Sequence, residues 1–132
     1  MKIDENQQEL IYQLSMFEQQ MQQIRQQMQV VEQGIAELND LNKGLDDLKS
    51  KTGEEVLAQI GRGIFAKANL ISEDLIVDIG GKNFVKKNIP DTKKMIDSQI
   101  KKLEDVYEQL TKSLEELNGE ILKLMESMDK KI

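Results

Sequence analysis

Val56-Leu57-Ala58-Gln59-Ile60-Gly61-Arg62-Gly63-Ile64-Phe65-Ala66-Lys67-Ala68-Asn69-Leu70 is the stretch on which the fold turns. Apolar residues alternate with a period of two on either side of Gly61-Arg62-Gly63, the pattern of strand, glycine turn and strand. The pattern recurs in Leu75-Ile76-Val77-Asp78-Ile79 and Asn83-Phe84-Val85-Lys86-Lys87, separated by Gly80-Gly81-Lys82. Ile71-Ser72-Glu73-Asp74 joins the two, so residues 54–88 read as tandem β-hairpins.

Short hairpins are marginal alone in water, and here the alternation leaves apolar residues on both faces. Val56, Ile60, Ile64, Leu75, Val77 and Ile79 form one set, and Leu57, Phe65 and Ile76 the other. A sheet that cannot hide both faces needs partners, and its open edges offer strand pairing. Assembly with other chains is therefore expected through these nine residues together with Phe84 and Val85.

On both flanks the period changes from two to that of a helix. Before the hairpins, Leu10, Leu14, Phe17, Met21, Ile24, Met28, Val31, Ile35 and Leu38 recur in alternating steps of four and three, a heptad seam that predicts a helix over 4–50. Leu38, Leu41, Leu45 and Leu48 contain an extra step of three, so the seam is expected to shift past Asn42 and lose regularity. After the hairpins, Ile96, Ile100, Leu103, Tyr107, Leu110, Leu114, Leu117, Ile121, Leu124 and Met128 predict a helix over 90–130. Asn88 suits its N-cap, with Pro90 and Asp91 in the first turn. At about 1.5 Å per residue both helices span roughly 60 to 70 Å, and matched seams on one chain make an antiparallel pair the simplest arrangement. The expected fold is α+β, a single domain over 1–132, in which a long antiparallel coiled-coil hairpin carries two tandem β-hairpins between its helices.

Composition narrows the function. Cysteine and histidine are both absent, which removes disulfides, thiolate and imidazole metal ligands and the usual general base. No catalytic residue, metal site or cofactor is expected. A net charge of -6 opposes binding to nucleic acid, and no apolar run has the length of a membrane span. The glycine groups lack the strand-to-helix context of a phosphate loop and read as turns. Asp46-Asp47 and Glu115-Glu116 read as solvated helix charge, and the glutamines between residues 19 and 27, interrupted by apolar residues at helical spacing, read as a helix surface.

Off the seam, Ile11, Leu122, Met125 and Ile132 add apolar character near the free ends of the two helices. Fraying there would present apolar surface to a binding partner, and methionine adapts well to irregular partners. The candidate contact set is Leu10, Ile11, Leu14, Phe17, Ile121, Leu122, Leu124, Met125, Met128 and Ile132.

The order helix, two hairpins, helix resembles the α class of prefoldin subunits, and Val56 to Ala68 and Leu75 to Val85 resemble that family's two strand-turn-strand segments. Ala58, Gln59 and Ala66 depart from the residues usual there. The resemblance implies a cytoplasmic, ATP-independent chaperone subunit in a hexamer of two α-type and four β-type subunits. It further implies that unfolded protein clients are held between coiled-coil tips and passed to a group II chaperonin. The competing reading is an oligomeric coiled-coil scaffold or tether that binds no client.

Overall fold

The computed structural model describes residues 5–130. Helix α1 (Glu5–Leu48) leads through strands β1 (Glu55–Gly61), β2 (Ile64–Asn69), β3 (Leu75–Asp78) and β4 (Phe84–Lys87) to helix α2 (Ile89–Lys130). The α+β order expected from the periodicity is the order observed. Asp4, the expected start of the first helix, lies outside the described residues. Two compact units form: residues 36–101, which hold the hairpins and the adjoining helix segments, and residues 1–35 with 102–132, which are helical throughout their described length.

In the hairpin-bearing unit, β1 and β2 form one antiparallel two-stranded sheet and β3 and β4 another. Val56 pairs with Ala68 and Ala58 with Ala66, until a register shift between Gln59 and Gly61 takes Ile60 out of the ladder. The second sheet pairs Leu75 with Lys87, Ile76 with Lys86, Val77 with Val85 and Asp78 with Phe84. Its turn depends on backbone conformation: Gly81 and Lys82 both have φ near +60°, as a two-residue hairpin loop with the strands' own twist requires. Asn83 N–H closes that turn on the Gly80 carbonyl at 3.1 Å, while the Asp78 carboxylate accepts from Gly80 N–H at 2.9 Å. Neither glycine group is a phosphate cradle; each turns a hairpin.

α1 stops two residues before the expected boundary because Ser50 adopts a left-handed φ of 63°. Its N–H then donates to the Glu73 carboxylate at 2.5 Å instead of continuing the helix. At the start of α2, Asn88 caps as expected: its side-chain oxygen accepts from Asp91 N–H at 2.8 Å and its carbonyl from the Thr92 hydroxyl at 2.8 Å. Between these ends lie the most buried side chains of the unit, Leu45, Ile89, Thr92, Ile96 and Ile100.

Cross-helix contacts show that the segments run antiparallel in each unit. Asn42 donates to the Asp97 carboxylate at 2.8 Å, and one turn later Lys93 bonds Asp46. In the helical unit the Tyr107 hydroxyl donates to Glu32 at 2.7 Å, and a Cβ placed on Gly34 would sit 3.3 Å from Leu103. Seam residues from Leu10 to Leu38 and from Ile96 to Met128 are half-buried or buried.

The expected seam shift falls not at Leu41 but one turn later, where Leu48 rather than Lys49 follows Leu45 as a half-buried side chain. Leu41 is 50% exposed, and Asn42 takes the protected position between Leu38 and Leu45. Bonding of Asn42 to Asp97 keeps the four-three alternation running where leucine spacing alone suggested a break. Helix α1 accordingly continues through this region to Leu48.

Asn42 satisfies its amide donor but leaves Oδ1 buried without a partner. A buried unsatisfied acceptor costs about 1–3 kcal/mol, and a polar residue in a coiled-coil seam fixes register at the expense of stability. Asn42→Leu is expected to raise the unfolding free energy by about 1–2 kcal/mol, read by urea denaturation, while register becomes less specific. A lower midpoint would show that the Asp97 bond outweighs the orphaned oxygen.

The Lys93 hydrogen bond holds the Asp46 carboxyl below its usual value of 3.8, against partial desolvation and with help from the charges of Lys93 and Lys49. A depressed carboxylate stabilises the fold above the unfolded value and ceases to do so as pH falls through the folded value. Lys93→Met is therefore expected to lower the thermal midpoint at neutral pH, with the difference from the unaltered chain closing as pH drops below 3.8. A difference constant with pH would remove this pair as its source.

Candidate functional site

Two apolar surfaces lie open, one in each unit. In the sheets, side chains alternate between a half-buried and an exposed face, as the pleat dictates. Val56, Ala66, Ala68, Leu75, Val77 and Val85 belong to the protected face. Leu57, Phe65, Ile76 and Phe84 stand on the other, with Phe65 57% and Ile76 73% exposed.

The expected division of faces is correct for Val56, Leu75 and Val77 against Leu57, Phe65 and Ile76. Ile60, Ile64 and Ile79, grouped with Val56 in the sequence, are exposed rather than half-buried. Ile60 falls at the bulge and has no partner across the ladder, while Ile64 keeps the alternation of Ala66 and Ala68 but stands at the turn end of β2. Ile79 lies just past the end of β3, where its N–H bonds the Asn83 carbonyl at 2.9 Å. Of the eleven residues expected to mediate assembly, Leu57, Ile60, Ile64, Phe65, Ile76, Ile79 and Phe84 are therefore open, whereas Val56, Leu75, Val77 and Val85 are partly covered within the chain. Ile71, 89% exposed in the connection between hairpins, joins the open set. It read only as a linker because it falls outside both alternating runs.

In the helical unit, Ile11, Leu122 and Met125 are exposed, as expected of side chains off the seam. The other described members of the contact set behave differently. Leu10, Leu14, Phe17, Ile121, Leu124 and Met128 are half-buried along the seam, where the opposing helix already occupies part of their surface. Their contribution to binding would require the helix ends to part. Ile132 lies outside the described residues. Tyr12, 66% exposed, and Met16 are open beside Ile11, an addition signalled in sequence by the i, i+4 spacing of two large apolar side chains off the seam. Met21 and Ile121 line one groove, consistent with the N-terminal turns of α1 running beside the C-terminal turns of α2.

A second groove in the helical unit, about 490 Å³, has Val30, Val31, Val106 and Leu110 with Gln23, Gln26 and Gln27 around it. The glutamines are helix surface, as their spacing indicated. Among the described residues no group of three or more acidic, cysteine or histidine side chains could hold a metal ion, and no helix is long and apolar enough to cross a membrane. The geometry offers binding surfaces.

Comparison with known proteins agrees with this architecture. The family model of prefoldin subunits matches residues 17–132. The α subunit of prefoldin from Methanobrevibacter smithii is 33% identical over 111 residues, 83% of this chain and 76% of that protein. Prefoldin subunit α 1 of Methanocaldococcus jannaschii is 26% identical over 129 residues, 89% of each. Among solved structures, a chain of filamentous prefoldin from Methanocaldococcus jannaschii superposes with a TM-score of 0.78 at 22% identity, covering 85% of this chain and 94% of that one, a likeness of fold.

Full burial of an exposed Phe or Ile is worth roughly 1.5–3 kcal/mol, so the open sheet face can drive association. Phe65→Lys combined with Ile76→Glu is expected to shift sedimentation to smaller species while helical circular dichroism stays nearly unchanged. Unaltered sedimentation would exclude this face as the interface.

Proposed function

Because the chain belongs to the prefoldin family as an α-type subunit, we propose that it acts in the cytoplasm within a hexamer of two α-type and four β-type subunits, holding unfolded clients for a group II chaperonin. Prefoldin subunits assemble with one another, and the open sheet face around Phe65 and Ile76 is the surface suited to that contact. The helical unit supplies the holding surface. One observation carries this reading: Ile11, Tyr12 and Met16 on α1, with Leu122 and Met125 on α2, remain exposed although both helices have a seam available to bury apolar side chains.

Holding needs neither a nucleotide nor a bond-making step. An unfolded chain exposes apolar side chains to water, and contact with Tyr12, Met16 or Met125 removes area from water at about 25 cal/mol per Å². Met16 and Met125 suit this task because an unbranched thioether side chain reshapes to different partners. Ordering the client and the helix ends offsets much of the gain, so a single arm binds weakly. Several arms gripping one chain raise overall affinity through effective concentration while each contact still opens quickly. Release to a chaperonin can then proceed one arm at a time, without ATP.

The partly covered Leu10, Leu14, Phe17, Ile121, Leu124 and Met128 form a reserve. Separation of the last helical turns would add them to the exposed set, at the cost of the seam contacts they make with the opposing helix.

Removal of residues 1–16 and 122–132 from this subunit, with the arms of its partner subunits shortened alike, tests the assignment in the whole complex. The remaining seam residues, Phe17 to Leu48 and Ile96 to Ile121, should still pair, and the complex should assemble with normal mass. Loss of protection against aggregation of a denatured client is the expected result. Full protection by shortened arms would instead favour a scaffold or tether that assembles without holding clients.

A further inference from the structure

The two units differ in charge as well as in structure. Residues 36–101 carry eleven acidic and eleven basic side chains and are neutral, whereas residues 1–35 and 102–132 carry thirteen acidic and seven basic. The helical segments therefore hold the chain's whole net charge of -6. Within residues 5–25 and 112–131 the carboxylates of Glu5, Glu9, Glu18, Glu115, Glu116, Glu120, Glu126 and Asp129 outnumber the cations Arg25, Lys112, Lys123, Lys130 and Lys131 by eight to five. Those eight carboxylates are exposed, and none forms an ion pair within 4.0 Å among the described side chains.

These carboxylates are interleaved with the open apolar residues. Glu9 stands one turn from Tyr12, and Glu126 one turn from Leu122 and directly beside Met125. A partner that buries Tyr12 or Met125 must bring its own charges close to this unneutralised field. Like charges there are repelled, whereas lysine and arginine gain both attraction and an apolar stem that lies along the same surface.

We propose that this surface selects cationic unfolded polypeptide, in which lysine or arginine is interspersed with apolar residues, over neutral or acidic polypeptide of equal hydrophobicity. The proposal rests on the client-holding reading and assigns it a client class. The apolar residues provide the area removed from water, and the surrounding carboxylates decide which chain arrives and stays. Because the charges are exposed, their effect falls within a Debye length of about 8 Å at physiological ionic strength and weakens further as salt rises. Selectivity should accordingly be a low-salt property, while apolar capture persists.

The test uses the complete oligomer and a permanently unfolded, lysine-rich polypeptide, either untreated or with its lysines acetylated. Acetylation removes charge and increases apolar character, so a purely hydrophobic site would bind the treated form more tightly. At 50 mM salt the untreated form is expected to bind about tenfold more tightly by fluorescence anisotropy, with the ratio falling below about twofold at 500 mM. Replacing Glu115, Glu116 and Glu120 by glutamine in every copy of this subunit should reduce the low-salt ratio about threefold without loss of helical signal. Equal affinities, tighter binding of the acetylated form, or a ratio unmoved by those substitutions would overturn the proposed selectivity and leave client holding intact. Failure to bind either form would overturn client holding itself, and the selectivity with it.

Discussion

Each helix has one narrow apolar stripe, and the opposing helix supplies its cover. In the helical unit this contact brings Leu103 against the backbone of Gly34, and in the hairpin-bearing unit it places Asn42 beside Asp97. A stripe one or two side chains wide cannot enclose a deep core, and most seam residues are half-buried rather than fully so. Seam geometry also decides what remains outside. Tyr12, Met16, Leu122 and Met125 fall off the stripe, and no third element of the described chain covers them.

The hairpins face the same shortage of cover in another form. A two-stranded sheet has two faces and two edges, and here one face of each is partly protected while Leu57, Phe65, Ile76 and Phe84 look outward. Leaving large apolar residues in water is unfavourable, and the proposed contact with other subunits would remove them from it. Both outward surfaces are apolar, but the surroundings differ: the hairpin-bearing unit is electrically balanced, and the helical unit is strongly acidic. Balanced charge suits permanent subunit contact, where desolvating an unpaired carboxylate would be costly. Unneutralised carboxylates on the helices suit partners that come and go.

Much of this was legible in the sequence because it follows from period alone. Steps of four and three located both helices, and alternation around Gly61-Arg62-Gly63 and Gly80-Gly81-Lys82 located both hairpins. The errors arose where a residue's place depends on a distant partner or on local backbone. Asn42 was read as a break because a lone sequence cannot show Asp97 opposite it. Ile60 departs from its expected face because the bulge at residues 59–61 interrupts a period that alternation assumes to be constant. Leu10, Leu14, Phe17, Ile121, Leu124 and Met128 are partly covered because the antiparallel partner lies over the seam, whereas Tyr12 and Met16 stay open because they fall outside it. Charge partition was present in the sequence but had no meaning until the two units were distinguished.

Hydrogen exchange on the assembled complex, followed by mass spectrometry with and without an unfolded client, tests the division of labour between the two surfaces most directly. Amides of β1 to β4 should be more slowly exchanging in the complex than in the free chain, and indifferent to client. Amides in residues 9–24 and 114–129 should be insensitive to assembly and slow when client binds. Client-dependent protection confined to the strands, with none in those helical segments, would contradict the assignment of assembly to the hairpins and holding to the helix ends.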